Sequence, residues 1–126
     1  MSRLRLCSVV LVVVAAAFSL GACSSSGKST DVTKTVTDGK ITVEGFDNLH
    51  FDVGTIKTAA GPLEVTFVNK GGMEHTFKVT GTDFELKASG GQTKTGTVTL
   101  EKGTYEFECT IPGHAQAGMK GQIEVS

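Results

Sequence analysis

Apolar and polar residues alternate over short stretches from Ile41 to the end of the chain, and turns that contain glycine separate these stretches. Successive side chains of a strand point to opposite faces of a sheet, so this period of two predicts strands that bury one face. No comparable stretch has the helical period. Strands are predicted at 41–45, 49–54, 63–67, 75–79, 83–88, 95–100, 103–109 and 121–125. We therefore expect an all-β domain over residues 40–126, a small Greek-key β-sandwich of about eight strands.

The first residues have the features of an export signal. Arg3 and Arg5 precede an apolar run from Leu6 to Leu20, which has the length of a secretory signal's hydrophobic core and is short for a membrane span. The run ends in Leu-Gly-Ala-Cys, which resembles the lipobox of bacterial lipoproteins. The resemblance implies that residues 1–22 are removed and that Cys23 carries lipid. The protein would then be anchored to a bacterial membrane in the cell envelope, facing the extracytoplasmic side. The alternative is a conventional cleavage site beside an unmodified Cys23.

The segment that follows the export signal is polar. Residues 23–39 are rich in Ser, Thr, Lys, Asp and Gly, and Val32 and Val36 are the only aliphatic residues among them. This composition predicts a flexible tether between the lipid and the domain. Two interpretations stay open: a spacer that lets the domain reorient, and an unstructured leader whose length has no role.

Charge and cysteine content narrow the chemistry of the domain. Twelve Lys and Arg against thirteen Asp and Glu give a formal net charge of −1, which leaves no basic excess to bind a nucleic acid backbone. Of the three cysteines, only Cys109 lies within the predicted domain, so we expect no disulfide inside it. A lone thiol in an exported domain is explained by inert burial, by an intermolecular bridge or by metal binding.

Four side chains that bind metals are predicted to meet at one end of the sandwich. Cys109, His114 and Met119 occur within CTIPGHAQAGM, and His75 begins an earlier strand. Four strands are predicted from His75 through Cys109, and an even number of reversing strands returns the chain to the end where it started. A thiolate, two imidazoles and a thioether are the donors that copper takes in a His₂Cys site with a long axial Met. This inference depends on the spacing of the four residues and on their shared position at one end of the sandwich, not on any single residue.

The segment from Cys109 to Met119 resembles the copper loop of the cupredoxins, the blue copper proteins, and the likeness extends over the β-domain from about residue 40 to 126. CTIPGH is similar to the azurin loop, HAQAGM is similar to the plastocyanin loop, and the Cys-x4-His-x4-Met spacing is similar to that of auracyanin and rusticyanin. The resemblance implies one type-1 copper ion, with Cys109 as the thiolate ligand, His75 and His114 as the equatorial nitrogen ligands, and Met119 as the weak axial ligand.

Two features fall outside this resemblance. Many cupredoxins have an Asn after the first His ligand that bonds to the residue after the Cys, whereas Thr76 and Thr110 occupy these positions here. The resemblance therefore does not predict this cross-link. His50 lies outside the copper motif and is predicted to be a surface or packing residue.

The resemblance implies one-electron transport rather than enzyme activity, because a fully coordinated copper has no open position for a substrate. Electrons would leave through the edge of His114, where transient redox proteins would dock on a small apolar patch formed by the surrounding loop. The chain's three histidines are too few for the additional copper centres of a multicopper oxidase. The alternative function is a copper-binding lipoprotein for copper storage, delivery or resistance.

Overall fold

Alternating burial along β-strands such as Lys40–Phe46, Gly61–Asn69 and Lys120–Val125 places one face of each in a shared apolar core. A computed structural model describes residues 29–126, so residues 1–22 and Cys23, with the predicted signal peptide and lipid site, lie outside the described part. Within it, the secondary-structure elements are β1 Thr33–Thr35, β2 Lys40–Phe46, β3 His50–Phe51, β4 Thr55–Thr58, β5 Gly61–Asn69, β6 His75–Val79, β7 Glu85–Ala88, β8 Thr93–Leu100, β9 Gly103–Glu108, α1 His114–Ala117 and β10 Lys120–Val125.

The strands form two packed sheets, and the predicted all-β sandwich is confirmed. One sheet has six strands in the order β1-β4-β10-β9-β6-β7, and the other has four in the order β3-β2-β5-β8. The described residues form ten strands rather than about eight. The two strands that the alternation did not predict, β1 and β4, are short and pair in parallel with each other. The one helix among residues 29–126, α1, has four residues and lies in the loop before β10.

Aromatic rings fill the space between the sheets. Phe51 packs edge-on against Phe67, Phe77 and Phe107, with ring centroids 5.4 to 6.0 Å apart. All four rings are buried. Edge-to-face aromatic pairs add about 0.5–1.5 kcal/mol each beyond the burial of their area. These rings come from both sheets, so the cluster packs the two sheets together below the end of the sandwich where β6 begins.

The segment predicted to be a flexible tether differs from that prediction over its described part. Residues of β1 pair in parallel with β4, and the Thr30 hydroxyl donates to the Phe51 carbonyl at 2.6 Å. Lys34 donates to the Thr42 carbonyl at 2.9 Å and forms an ion pair with Asp52. The backbone of this polar segment forms hydrogen bonds with the edge of β4, a stabilisation that composition alone does not reveal.

Across residues 29–126, no helix is both long and apolar enough to cross a membrane.

The pairing of β6 with β9 positions the predicted metal ligands. These strands are antiparallel, with Lys78 opposite Glu108 and Val79 opposite Phe107. His75 at the start of β6 and Cys109 just after β9 therefore lie at the same end of the six-stranded sheet. The even number of strands expected between them is confirmed as β6, β7, β8 and β9.

Candidate metal centre

Three of the four predicted ligands converge at this end of the sandwich. One donor atom from each of His75, Cys109 and His114 lies within 4.8 Å of the others. The two Nδ1 atoms are 3.3 Å apart, and the Nδ1 of His114 is 3.5 Å from the Cys109 sulfur. His75 is 0% exposed and Cys109 is 1% exposed. Burying several donor atoms that face one point is costly unless a metal or a shared proton pairs them.

The loop that carries His114 is closed by backbone hydrogen bonds. The N–H of Cys109 donates to the Met119 carbonyl, and the N–H of Met119 donates to the His114 carbonyl, both at 3.0 Å. Gly113 and Gly118 flank α1 with φ angles of 88° and 118°. Only glycine adopts such angles without strain, which explains why the loop has glycine on both sides of the helical turn. The three ligands of this loop are thus held at fixed positions relative to one another.

Met119 is 0% exposed and lies against β2. A Cβ built on Gly45 would lie 3.1 Å from the terminal methyl of Met119 and 2.9 Å from the ring of Phe67. A side chain at Gly45 would therefore compete with the thioether for space. Because Gly45 has no side chain, Met119 has room beside Cys109 and His114, to which its backbone is hydrogen-bonded.

Thr76 and Thr110 form the cross-link that the resemblance did not predict. The N–H of Thr110 donates to the Thr76 hydroxyl oxygen at 2.7 Å. The Thr110 hydroxyl donates to Glu85 at 2.7 Å and therefore accepts from the Thr76 hydroxyl at 2.9 Å, since a hydroxyl has one proton. The Cys109 sulfur accepts from the backbone N–H of Thr76 at 3.4 Å. These hydrogen bonds thus join β6, which begins at His75, to the segment after β9 that contains Cys109.

The surroundings of His114 favour its neutral imidazole form. Burial lowers the pKa of His114 from its ordinary value because it penalises the charged form, and repulsion from His75 lowers it further. A neutral ring nitrogen is the form that binds a metal, so this shift reduces the competition from protons.

His50 does not join the cluster. Its ring stacks on Phe46 with the centroids 5.3 Å apart. The expectation that it is a packing residue agrees with this contact.

Sequence reasoning missed one residue of the site. The carboxylate of Asp47, in the turn after β2, lies 3.1 Å from the Nε2 of His75. The backbone N–H groups of Gly72 and Met73, and to a smaller extent His75, hold the pKa of Asp47 below its ordinary value. No local signal in the sequence links position 47 to position 75, because only the pairing of distant strands brings them together.

The donors fit copper. A thiolate, two imidazoles and a thioether are the soft and borderline ligands that suit both copper oxidation states, and zinc does not favour the thioether. The four side chains His75, Cys109, His114 and Met119 are positioned as a type-1 copper site.

Comparisons with known proteins agree with this chemistry. Residues 37–126 match the family described as copper binding proteins, plastocyanin/azurin family. The copper-resistant cuproprotein CopI of Rubrivivax gelatinosus is 34% identical over 103 residues. This alignment covers 63% of the chain and 61% of the relative, so the chain spans less than two thirds of that protein's length.

Solved structures share the fold. Auracyanin of Roseiflexus castenholzii superposes with a TM-score of 0.66 at 23% identity, covering 72% of this chain and 99% of auracyanin. Rusticyanin of Thiobacillus ferrooxidans superposes with a TM-score of 0.63 at 26% identity, covering 80% of this chain and 86% of rusticyanin.

The family match covers more than half of the chain and includes all four donor residues. The fold of the described residues and the chemistry of the donors lead to the same assignment independently of that match. The chain belongs to the plastocyanin/azurin family of copper-binding proteins, the cupredoxins.

Proposed function

We propose that this protein carries single electrons between redox partners. Bound copper supplies the Cu(I)/Cu(II) couple. The observation that carries the proposal is the unequal exposure of the four ligands: His75, Cys109 and Met119 are buried, whereas His114 is partly exposed. The ring of His114 is therefore the ligand through which the centre reaches the surface.

The way the chain holds the ligands supports a carrier. Backbone hydrogen bonds join Cys109, His114 and Met119 into one closed loop, and Thr76 joins β6 to that loop. A frame of this kind limits rearrangement of the donors when the charge at the centre changes. With all four donors supplied by the protein, no position is left for a substrate, and we propose that the protein is not an enzyme.

The surface around His114 suits transient docking. Pro112, Gly113 and Ala117 are exposed and uncharged, and Ile111 and Ala115 are partly exposed. Gly118, in the same loop, is buried and does not contribute to this surface. Met73, two residues before His75, is 44% exposed. We call residues 111–113, 115 and 117 the apolar patch and propose that redox proteins dock there through an interface below about 1,200 Å².

Ala117→Lys tests the apolar patch. We expect electron self-exchange to slow by about tenfold or more, because two copies that dock through this patch would each place a like charge in the interface. The reduction potential should change little, because an exposed charge is screened by solvent. Stopped-flow or NMR line broadening measures the self-exchange rate.

Thr104→Lys is the matched control for that variant. Thr104 is exposed and lies near the start of β9, at the end of the sandwich opposite Cys109. The Thr104→Lys variant adds the same charge and should leave the self-exchange rate near that of the unmodified protein. Equal slowing in both variants would show that net charge, not docking at the patch, controls the rate.

A second candidate function is copper storage, delivery or resistance. It is favoured by the relative named a copper-resistant cuproprotein. The two functions differ in what happens on reduction. A carrier keeps its copper through repeated reduction and oxidation and exchanges electrons rapidly, whereas a store passes Cu(I) readily to an acceptor. Copper retained per cycle in the presence of a Cu(I) chelator distinguishes them.

Met119→Leu tests the axial ligand. We expect copper to remain bound, because the thiolate and both imidazoles are unchanged. The reduction potential should rise by about 59 mV or more, equivalent to about a tenfold shift toward Cu(I), because a weak donor that favours Cu(II) is lost. Met73→Leu makes the same change at an exposed methionine outside the donor set and should leave the potential unchanged. An unchanged potential in Met119→Leu would argue against axial ligation.

We further propose that the protein is a lipoprotein of the cell envelope. The lipobox-like segment before Cys23 supports this, since acylation there would tether the domain to a membrane on the extracytoplasmic side.

A further inference from the structure

Asp47 is held at a single position beside the copper ligands. Its Oδ2 accepts from the N–H of Gly72 at 2.7 Å, and its Oδ1 accepts from the N–H of Met73 at 3.2 Å. The same Oδ1 lies 3.1 Å from the Nε2 of His75. Although this side chain is 44% exposed, three donors from one segment of the chain converge on its two oxygens.

The segment after β5 is shaped to enclose this carboxylate. A Cβ built on Gly71 would lie 1.9 Å from the Oδ1 of Asp47, so a side chain at that position would displace the carboxylate. Asn69 is 1% exposed and holds the segment from below, donating to the Met73 carbonyl at 2.7 Å and accepting from the Gly71 N–H at 2.9 Å. The carboxylate thus occupies a site defined on several sides by backbone.

The two nitrogens of His75 have different partners, and this assigns their roles. Nδ1 faces the Nδ1 of His114 inside the cluster, whereas Nε2 faces Asp47 outside it. When Nδ1 binds copper as an unprotonated donor, the ring proton resides on Nε2 and is donated to Asp47. A carboxylate that accepts this proton fixes the tautomer and the ring orientation and makes the metal-binding nitrogen a stronger donor.

We propose that Asp47 is a positioning residue of the copper centre, which orients His75 through its Nε2–H and stabilises Cu(II) relative to Cu(I). A stronger nitrogen donor and a nearby negative charge both favour the more highly charged ion. The proposal depends on copper binding at His75 and not on whether the protein is a carrier or a store. Its failure would therefore leave the proposed function intact.

The competing explanation is that Asp47 only fastens the turn after β2 to the segment that follows β5. In that case its loss would lower the free energy of unfolding without affecting the Cu(II)/Cu(I) equilibrium. Asp52 provides a matched control, because it too fastens chain segments. It accepts from the Glu44 N–H at 2.9 Å and forms an ion pair with Lys34.

Asp47→Asn and Asp52→Asn remove the same charge and are compared in the copper-loaded full chain. For Asp47→Asn we expect Cu(II) affinity to fall about 10–100-fold. The Cu(II)/Cu(I) equilibrium should shift toward Cu(I) by about tenfold, a rise in potential of about 59 mV for a one-electron couple. Asp52→Asn should lose stability with a much smaller change in potential. Loss of stability in both variants with equal potentials would overturn the proposal.

A second measurement uses the unmodified protein and does not depend on a variant that folds. In the Cu(I) protein, which is diamagnetic, ¹H–¹⁵N NMR should detect the Nε2–H of His75 as a downfield signal that exchanges slowly with water, because Asp47 holds the proton. Rapid exchange of the Nε2–H in the unmodified protein would show that Asp47 does not hold the ring and would overturn the proposal.

Discussion

Cys109→Ser abolishes the intense visible absorption that we expect from the Cu(II) protein. That absorption comes from charge transfer between a thiolate and copper, and Cys109 is the only cysteine in the described residues. A serine hydroxyl is not ionised at neutral pH and is a poor ligand for a soft metal site. The Cys109 sulfur also accepts the Thr76 N–H, a bond that a serine oxygen can keep, so the fold should survive. Visible and EPR spectra after copper addition test this expectation.

The same variant should lose most of the stabilisation that copper gives. A ligand that binds only the folded state adds about 4.1 kcal/mol to the free energy of unfolding when present at a thousand times its dissociation constant. Weakening copper binding removes this gain, so thermal unfolding with and without copper should differ strongly in the unmodified protein and little in Cys109→Ser. Thr110→Ser, at the adjacent position, keeps the thiolate and should keep the band. A band that persists in Cys109→Ser would refute the thiolate assignment.

If Cys23 carries lipid as proposed, we expect Cys23→Ser to move the protein from the membrane fraction to the soluble extracytoplasmic fraction. Each buried methylene contributes about 0.8 kcal/mol, and one acyl chain alone gives only reversible attachment, whereas two or more make it effectively permanent. Removing the proposed lipid site should therefore change the distribution from nearly all membrane-bound to nearly all soluble. Cell fractionation with immunodetection measures this, and mass spectrometry of the N-terminus detects the lipid.

Cys7→Ser is the matched control, because it makes the same substitution within the predicted signal and leaves the lipobox-like segment unchanged. It should remain in the membrane fraction. Persistent attachment of Cys23→Ser would point to a different anchor and would contradict the lipoprotein proposal, while the copper chemistry of the domain would be unaffected.

The fold class was predictable because burial has a strong period in the longer strands. In β5, the buried residues Leu63, Val65 and Phe67 alternate with less buried ones, as the pattern of apolar residues indicates. The short strands β1 and β4 have three and four residues, too few for the period to be distinguished from a polar linker. Their pairing depends on strands that are distant in the sequence, because β4 pairs with β10 and β1 pairs with β4.

The copper ligands were predictable because three of them share one loop with a characteristic spacing. The hydrogen bonds that support them were not. Thr76 replaces the asparagine of many cupredoxins, and its capacity to accept from Thr110 depends on the antiparallel pairing of β6 with β9. From the sequence alone, the hydroxyls at positions 76 and 110 could bond to many other groups, so their pairing with each other could not be predicted.

Alternation along the chain determined which face of the longer strands is buried, and the loop spacing determined three of the side chains positioned to bind the metal. Which strands lie side by side was decided only by the tertiary structure. Asp47 reaches His75 because β2 and β5 run in parallel with Gly45 beside Asn69, so the segments that leave both strands emerge at the same end. The physical reason is that an alternation with a period of two specifies which face of a strand is buried but not which strand pairs with it. The pairing is selected by how the apolar faces of all the strands pack together in the core.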